Sequence, residues 1–259
     1  MEIPSKSILV PVDFTDKAEF AFQHAIIMAK YVKREIVLLH IVKKDNERTQ
    51  AMVRVEEWAK NMEQKYGHKA MTIIRKGDIF KGLKSTAIEI NALIIIMGLH
   101  NPKRALKTII GSNIPFYLVQ APPQSEKIKD IVVPFDYNEK ARVQLNWVVL
   151  LSKYFECNIN IIKPYIESNA RNEKMKKNMY FIKKVLDEKE VIYGVRTAKR
   201  GDKFNDAIYD FGKEISADLI FIMSYDFKKF ILKASKFGLK IPVMCINPAT
   251  NTMLLPGKY

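Results

Sequence analysis

The sequence is poor in cysteine and histidine, the residues from which most metal clusters and nucleophilic sites are built. Its two cysteines, Cys157 and Cys245, stand far apart within apolar runs, which excludes a disulfide framework and predicts buried, unreactive thiols. The four histidines show no spacing typical of metal ligands. No Ser-His-Asp or Cys-His set can be assembled, so the sequence specifies no catalytic residue and no metal site.

Long apolar stretches are missing as well. The longest uninterrupted apolar run has about six residues, whereas a membrane-spanning helix needs about 20. The first residues lack the basic start and the apolar core of a secretory signal. We therefore expect a soluble, cytoplasmic protein without a membrane partner.

Two common phosphate-binding motifs are absent. The sequence contains no Gly-x-x-x-x-Gly-Lys-Ser/Thr, and no Gly-x-Gly-x-x-Gly follows a predicted strand. Nothing specifies a general base either, so any nucleotide hydrolysis is expected to be slow and incidental. The sequence therefore predicts a protein that is not an enzyme, with a slow nucleotide hydrolase as the less favoured alternative.

Positive charge, in contrast, is abundant. The formal net charge is +15, and it comes from 34 lysines and only 9 arginines set against 28 acidic residues. Arginine is the residue favoured for bidentate contacts to guanine and phosphate, whereas lysine is a solvated point charge. The excess is spread evenly over both halves of the chain. This pattern favours a generally lysine-rich surface and makes a nucleic-acid partner unlikely.

Strand and helix patterns alternate along the first half of the chain. Continuous apolar runs lie near residues 8–13, 36–42, 70–75, 92–98 and 114–119. Runs that are apolar at every position indicate strands covered on both faces, and the segments between the first four have helical periodicity. The alternation predicts an α/β domain with a five-stranded, doubly wound parallel sheet.

The same pattern restarts after a proline-containing linker at 121–125. Asp136 follows a strand-like run and stands 123 residues after Asp13, and the Gly201-Asp202 pair repeats Gly77-Asp78. Matching residues that are separated by a nearly constant number of positions indicate two homologous domains. We therefore expect one domain over residues 1–125 and a second over residues 126–259.

These residues resemble the universal stress protein family over nearly the whole chain. The resemblance is carried by the strand ends at 8–13, 37–42, 76–78 and 93–98 and by Gly98 with Gly111-Ser112. It implies an adenine nucleotide alpha hydrolase-like fold in each half, and a tandem chain whose domains pair as an intrachain pseudo-dimer. The pairing would join residues 116–120 to residues 243–247, and further homodimerisation is left open.

The resemblance also implies a nucleotide site in the first domain. ATP-binding members carry Gly-x-x-Gly, nine residues and then Gly-Ser or Gly-Thr, and here Asn101 replaces the second glycine. Asparagine tolerates left-handed backbone geometry, so the turn is expected to survive. The implied ligand is ATP or another adenine nucleotide, with or without Mg²⁺. The implied binding residues are Asp13, Val42, Gly98, Asn101, Gly111 and Ser112, with charge from Lys103, Arg104 or Lys107.

Structural roles explain the same residues in another way. Asp13 could simply cap a helix, Gly98 could end a strand and Ser112 could close a turn. In the second domain Ser224-Tyr225-Asp226-Phe227 stands where the glycines belong, and Gly238-Leu239 replaces Gly-Ser. Tyr225 and Phe227 are expected to fill the cavity there. The leading hypothesis is a stress-response protein that binds nucleotide in its first domain, and the alternative is an interaction scaffold in which both sites have decayed.

Overall fold

The computed structural model describes residues 6–137, 141–234, 240–247 and Thr250. By proximity of Cα atoms, the chain separates between Pro123 and Gln124 into two compact units. Cys157 and Cys245 are both buried and free, and burial raises the pKa of the Cys157 thiol to about 12. No helix in the described ranges is long and apolar enough to cross a bilayer.

The first unit alternates five strands with four helices. Its elements are β1 (Ile8–Pro11), α1 (Asp16–Val32), β2 (Ile36–Val42), α2 (Arg48–Tyr66), β3 (Ala70–Lys76), α3 (Ile79–Glu89), β4 (Ile94–Gly98), α4 (Pro102–Ile109) and β5 (Phe116–Val119). The strands lie in the order β3-β2-β1-β4-β5, and every neighbouring pair is parallel. β1 is central, because Ile8 pairs with Ile36 on one side and with Ile94 on the other.

The second unit repeats this architecture. Its elements are β6 (Asp130–Pro134), α5 (Ala141–Phe155), β7 (Asn158–Lys163), α6 (Asn169–Glu188), β8 (Tyr193–Thr197), α7 (Phe204–Glu214), β9 (Leu219–Met223), α8 (Ser224–Ala234) and β10 (Val243–Ile246). The strand order β10-β9-β6-β7-β8 is again parallel throughout. The predicted α/β class with doubly wound, five-stranded parallel sheets is confirmed.

The apolar runs form the centre of each sheet. Ile8, Leu9 and Ile95 are fully buried in the first unit, as are Ile131 and Phe221 in the second. Helices on both faces of the sheet explain why these strands are apolar at every position. The ends of the helices follow local signals, because Gly67 ends α2 in the left-handed conformation, with φ of 68°.

One element was not predicted. Residues 103–107, with Lys103, Arg104 and Lys107, are expected from the sequence to form a cationic loop, but the chain forms α4 from Pro102 to Ile109. Asn101 caps this helix and Pro102 takes its first position, where the missing N–H costs nothing. The buried face of α4, with Ala105, Leu106 and Ile109, then anchors it to the unit.

Candidate functional site

A cavity of about 350 Å³ opens at the carboxyl ends of β1, β2 and β4. In doubly wound sheets this edge is where ligands bind. The apolar part of the wall is formed by Pro11, Val12, Leu39, Ile41, Ile79, Phe80, Met97 and Leu99. The polar part is formed by Asp13, His40, His100, Asn101 and Arg104. The cavity thus combines an apolar interior with a few polar groups, as binding sites for small molecules do.

Asp13 lies directly after β1 and is hydrogen-bonded within the chain. Its Oδ1 accepts from the Thr15 backbone N–H at 3.2 Å and from the Thr15 hydroxyl at 2.6 Å. Its Oδ2 lies 3.0 Å from His100 Nε2, and that nitrogen is also 3.2 Å from Thr15 Oγ1. Asp13 and His100 are both about half exposed. The three residues therefore form a polar link between the segments that follow β1 and β4.

His40 is a cavity residue that the sequence did not single out. Its Nδ1 lies 2.8 Å from the Val12 carbonyl oxygen. Because a carbonyl can only accept, Nδ1 must carry the proton, and Nε2 of the neutral ring is then an acceptor. The partly buried ring lines the cavity beside Val12 and Ile41. A lone histidine in an apolar strand gave no signal of this position.

Phe14 stands beside the cavity in an unusual backbone conformation. Its φ is 62°, which is rare for a bulky residue and is found most often near functional sites. The Arg54 guanidinium lies 4.0 Å from the centre of the Phe14 ring, and the His40 ring centre is 4.8 Å away. This stack lines a second, shallower cavity of about 370 Å³ against the start of α2.

Gly98 ends β4 and contacts the first turn of α1. A Cβ atom at this position would lie 2.7 Å from Lys17 Cβ and 2.8 Å from the Lys17 carbonyl group. Only glycine therefore lets α1 approach the end of β4 so closely. The carbonyl of the next residue, Leu99, accepts from Lys17 Nζ at 3.1 Å and from Gln120 Nε2 at 2.9 Å. These contacts fix the start of the turn that leads to α4.

Asn101 acts as a helix cap. Its side-chain oxygen accepts from the backbone N–H groups of Lys103 at 3.0 Å and Arg104 at 3.2 Å. Its backbone is extended, with φ of −131° and ψ of 110°. The expectation that this asparagine would adopt a left-handed turn is wrong, because the capping geometry needs an extended residue before the helix. The amide side chain fills the place at which an anion would meet the helix N-terminus.

The predicted site residues fall into two groups. Asp13, Gly98, Asn101 and Arg104 line the cavity together, whereas Val42, Gly111, Ser112, Lys103 and Lys107 do not. Lys103 and Lys107 are exposed on α4, and Gly111 turns the chain after it with φ of 75°.

Val42 and Ser112 are both buried and do not line this cavity, although Val42 lines the second, neighbouring one. Val42 is 4% exposed and packs with Ala51 and Ile74. Ser112 is 7% exposed. Its hydroxyl donates to the Ile114 carbonyl and accepts from the Ile114 N–H, both at 3.1 Å. Ser112 therefore bonds within its own turn.

The corresponding edge of the second unit is built differently. The segment that opens with Ser224 stands where the glycines of the motif belong, but it is helical, because α8 begins at Ser224, directly after β9. Phe227 is fully buried. Burial and the nearby carboxylates of Asp226 and Asp136 raise the pKa of Tyr225. Residues 238 and 239, which take the place of Gly-Ser, lie outside the described residues.

The described residues offer few side chains that could hold a bound metal ion. Among the described residues, no group of three or more His, Cys, Asp or Glu side chains is arranged to hold one. Both oxygens of Asp13 already have partners. Within the part of the chain that the structure describes, Asp13 is the one carboxylate on the lining of this cavity, so the cavity offers Mg²⁺ a single anionic ligand.

The sheet order and the cavity at its carboxyl edge define a class of protein. This strand order and this position of the cavity are found in doubly wound α/β domains with the adenine nucleotide alpha hydrolase-like fold. Residues 4–122 match the model of the universal stress protein family. The first domain therefore belongs to the universal stress protein family.

Solved structures extend the likeness to the whole chain. A universal stress protein from Archaeoglobus fulgidus matches 95% of this chain and 97% of its own, at 16% identity and a TM-score of 0.73. A putative universal stress protein from Pseudomonas aeruginosa matches 95% of this chain and 94% of its own, at 12% identity and a TM-score of 0.66. At such low identities the likeness shows the fold alone. A search of curated proteins found no match.

Proposed function

We propose that the first domain binds an adenine nucleotide in the cavity at the carboxyl edge of its sheet and that the protein acts in a stress response. The observation that carries the proposal is the cavity itself, in which an apolar wall meets Asp13 and Arg104. Membership of the universal stress protein family supports the choice of an adenine nucleotide. The location supports it too, because sheets of this topology bind ligands at this edge.

The residues present fit such a ligand. Val12, Met97 and Leu99 offer an apolar surface to a base. The Asp13 carboxylate can accept a hydrogen bond from a ribose hydroxyl, and the Arg104 guanidinium can pair with a phosphate.

Binding without efficient catalysis is part of the proposal. The titratable side chains on the cavity wall are Asp13, His40, His100 and Arg104. Asp13 accepts from Thr15 and lies against His100, and His40 donates to a backbone carbonyl. Thr15 contributes a hydroxyl to these contacts, but it donates its proton to Asp13 Oδ1 at 2.6 Å, and we do not expect it to act as a nucleophile. We expect ATP turnover by the purified protein to equal that of a blank without protein.

Isothermal titration calorimetry with ATP, ADP and AMP tests the proposed binding. Asp13→Ala removes the acceptor in the cavity and should weaken binding about tenfold, the loss expected for one hydrogen bond to a charged group. Asp136→Ala makes the same change at the corresponding position of the second domain and should leave binding unchanged. The absence of heat with all three nucleotides at millimolar concentration would contradict the proposal.

A non-binding interaction scaffold is the second candidate. Two observations favour it: Asn101 already caps α4, and Phe227 is buried where the second site would lie. Mass spectrometry of small molecules released from the native protein separates the candidates. Co-purified adenine nucleotide, lost in Asp13→Ala, supports binding, and its absence together with silent calorimetry supports the scaffold.

The family resemblance also motivates a proposal on assembly and location. We expect the two domains to pair through their last strands, β5 and β10, in a cytoplasmic protein. Amide hydrogen exchange should then be slow at successive residues of both strands, because a strand with only one neighbour protects alternate amides. Fast exchange at alternate residues, with a dimer in sedimentation equilibrium, would indicate a homodimer instead.

A further inference from the structure

In the first domain, Asn101 replaces one glycine of the family's ATP-binding pattern, and Gly111-Ser112, which matches the pattern, does not line the cavity. Both features affect the binding of phosphate more than the binding of base or ribose. We infer that the cavity selects a nucleoside monophosphate and does not prefer the triphosphate. The inference rests on the proposed function and specifies its ligand. Its support comes from the contacts of Asn101, Ser112 and Arg104 and from the size of the cavity.

The first support is the state of the helix that would receive the phosphates. A helix N-terminus attracts anions through backbone N–H groups without partners. At α4, the N–H groups of Lys103 and Arg104 donate to Asn101 Oδ1 at 3.0 and 3.2 Å. Pro102, at the first position, has no N–H to offer. A phosphate chain would have to displace the asparagine side chain before it gained these donors.

The second support is the position of the Gly111-Ser112 pair. Neither residue lines the cavity. The Ser112 hydroxyl donates to the Ile114 carbonyl and accepts from the Ile114 N–H, both at 3.1 Å, and the side chain is buried. The pair therefore closes a turn at the end of α4, where it makes no contact with the cavity.

The third support is the charge on the cavity wall. Arg104 lines the cavity, whereas Lys103 and Lys107 on the same helix do not. The carboxylate of Asp13 lies on the same wall and repels additional phosphates. Asp13 is also the one carboxylate that the described residues place on the lining of this cavity, so the protein supplies a single anionic ligand for a Mg²⁺ ion that would neutralise them. One arginine neutralises the negative charge of a single phosphate group much better than that of three phosphate groups.

The fourth support is volume. The cavity measures about 350 Å³, near the lower end of the roughly 300–1,000 Å³ range of small-molecule sites. Such a space suits a nucleoside with a short anionic group. The second cavity shares His40 and Ile41 with this one, but none of its described lining residues belongs to α4, so it adds no space on the side of Asn101 and Arg104. A longer phosphate chain would extend past Asn101 and Arg104 into solvent, where its charge gains little from the protein.

Calorimetry of the full-length chain with adenosine, AMP, ADP and ATP, each with and without Mg²⁺, tests the assignment. We expect AMP to bind more tightly than adenosine and at least as tightly as ATP, with no gain from Mg²⁺. ATP binding tenfold or more tighter than AMP would overturn this assignment while leaving the proposed function intact. If none of the four ligands gives heat of binding, the proposed function is overturned, and this assignment with it.

Two variants of α4 locate the phosphate contact. Arg104→Gln should weaken AMP about tenfold, as expected for the loss of a charge-assisted hydrogen bond, and should leave adenosine unchanged. Lys107→Gln is the matched control, because it removes the same charge from the same helix away from the cavity. Equal loss of AMP binding in both variants would show that no defined phosphate contact exists and would overturn the assignment.

Variants of Asn101 test whether its side chain, which caps the N-terminus of α4, sets the selectivity between AMP and ATP. Asn101→Gly removes the side chain and costs only a few tenths of a kcal/mol as a cap, so the domain should fold. The freed N–H groups should then favour ATP over AMP by about tenfold relative to the unmodified chain. Asn101→Ser keeps a capping oxygen and should preserve the original order of affinities. If Asn101→Gly leaves the ratio of ATP to AMP affinity unchanged, the asparagine does not set the selectivity.

Discussion

At the scale of single residues, His100 and a bound ligand would compete for the Asp13 carboxylate. The imidazole lies 3.0 Å from Asp13 Oδ2, and a ribose hydroxyl would need the same acceptor. Exposed pairs of this kind contribute about 0.2–1 kcal/mol. We predict that His100→Ala binds adenosine about two- to fivefold more tightly in calorimetry. His68→Ala, which removes a histidine from outside the cavity lining, should change nothing, and weaker adenosine binding by His100→Ala would show that the imidazole holds the ligand.

His24 makes the stability of the first domain sensitive to acid. It is buried, its Nε2 lies 3.2 Å from the Ala121 carbonyl, and burial lowers its pKa to about 4. The unfolded chain takes up a proton near pH 6.5, so stability present above pH 6.5 is lost as the pH falls towards 4. The loss should be on the order of 3 kcal/mol. Urea unfolding at pH 7 and pH 4.5 should show a smaller difference for His24→Gln, and an equal difference would contradict this role.

Single residues also show where sequence reasoning reaches its limit. Asp13 and Gly98 were predicted at the site from the family resemblance, and the carboxyl ends of β1 and β4 place both on the cavity wall. His40 and Phe14 were not predicted there. The position of Phe14 depends on a φ of 62°, which no propensity favours for an aromatic residue. Ser112 matched a motif by spacing, yet the length of α4 carries it away from the cavity.

At the scale of secondary structure elements, the two domains use equivalent aspartates differently. Asp78 caps α3, because its Oδ1 accepts from the N–H groups of Phe80 and Lys81 at 3.0 Å. Asp202 instead accepts from the Lys199 N–H at 3.2 Å, and Lys203 precedes α7 without a side-chain cap.

This difference gives a matched pair of substitutions. Asp78→Ala should lower the free energy of unfolding by about 1 kcal/mol, the usual cost of a lost cap, and Asp202→Ala should cost clearly less. Chemical denaturation followed by circular dichroism measures both. Equal losses would mean that the cap at α3 adds nothing beyond an ordinary turn.

The strands were the most predictable elements and α4 was the least. Five apolar runs in each half gave the sheet, because a strand buried on both faces must be apolar throughout. Residues 103–107 were interpreted as a loop, because attention fell on the positive charges of Lys103, Arg104 and Lys107. The signals for a helix were Asn101 and Pro102, read as a cap and a first position. They were overlooked because Asn101 was compared with a glycine of the family motif.

At the scale of the whole molecule, the proposal assigns ligand binding to one domain. A bound ligand stabilises the state that binds it. We predict that saturating AMP slows amide hydrogen exchange at the carboxyl ends of β1, β2 and β4 and leaves β6, β7 and β9 unchanged. Asp136→Ala should show the same pattern as the unmodified chain. Protection of equal size in both domains would mean that the second domain also binds ligand.

The direct junction between β9 and α8 limits how the second domain could be engineered. In the first domain, Leu99, His100 and Asn101 separate β4 from α4, whereas α8 begins at Ser224 with no residue between strand and helix. Glycine substitutions at Ser224, Tyr225 or Phe227 would remove bulk but would not by themselves move the start of α8. The second domain is not short of residues there, because 17 residues lie between Met223 and Ile241 against 15 between Gly98 and Ile114. Restoring a site would therefore require α8 to begin later in the chain, as α4 does after β4.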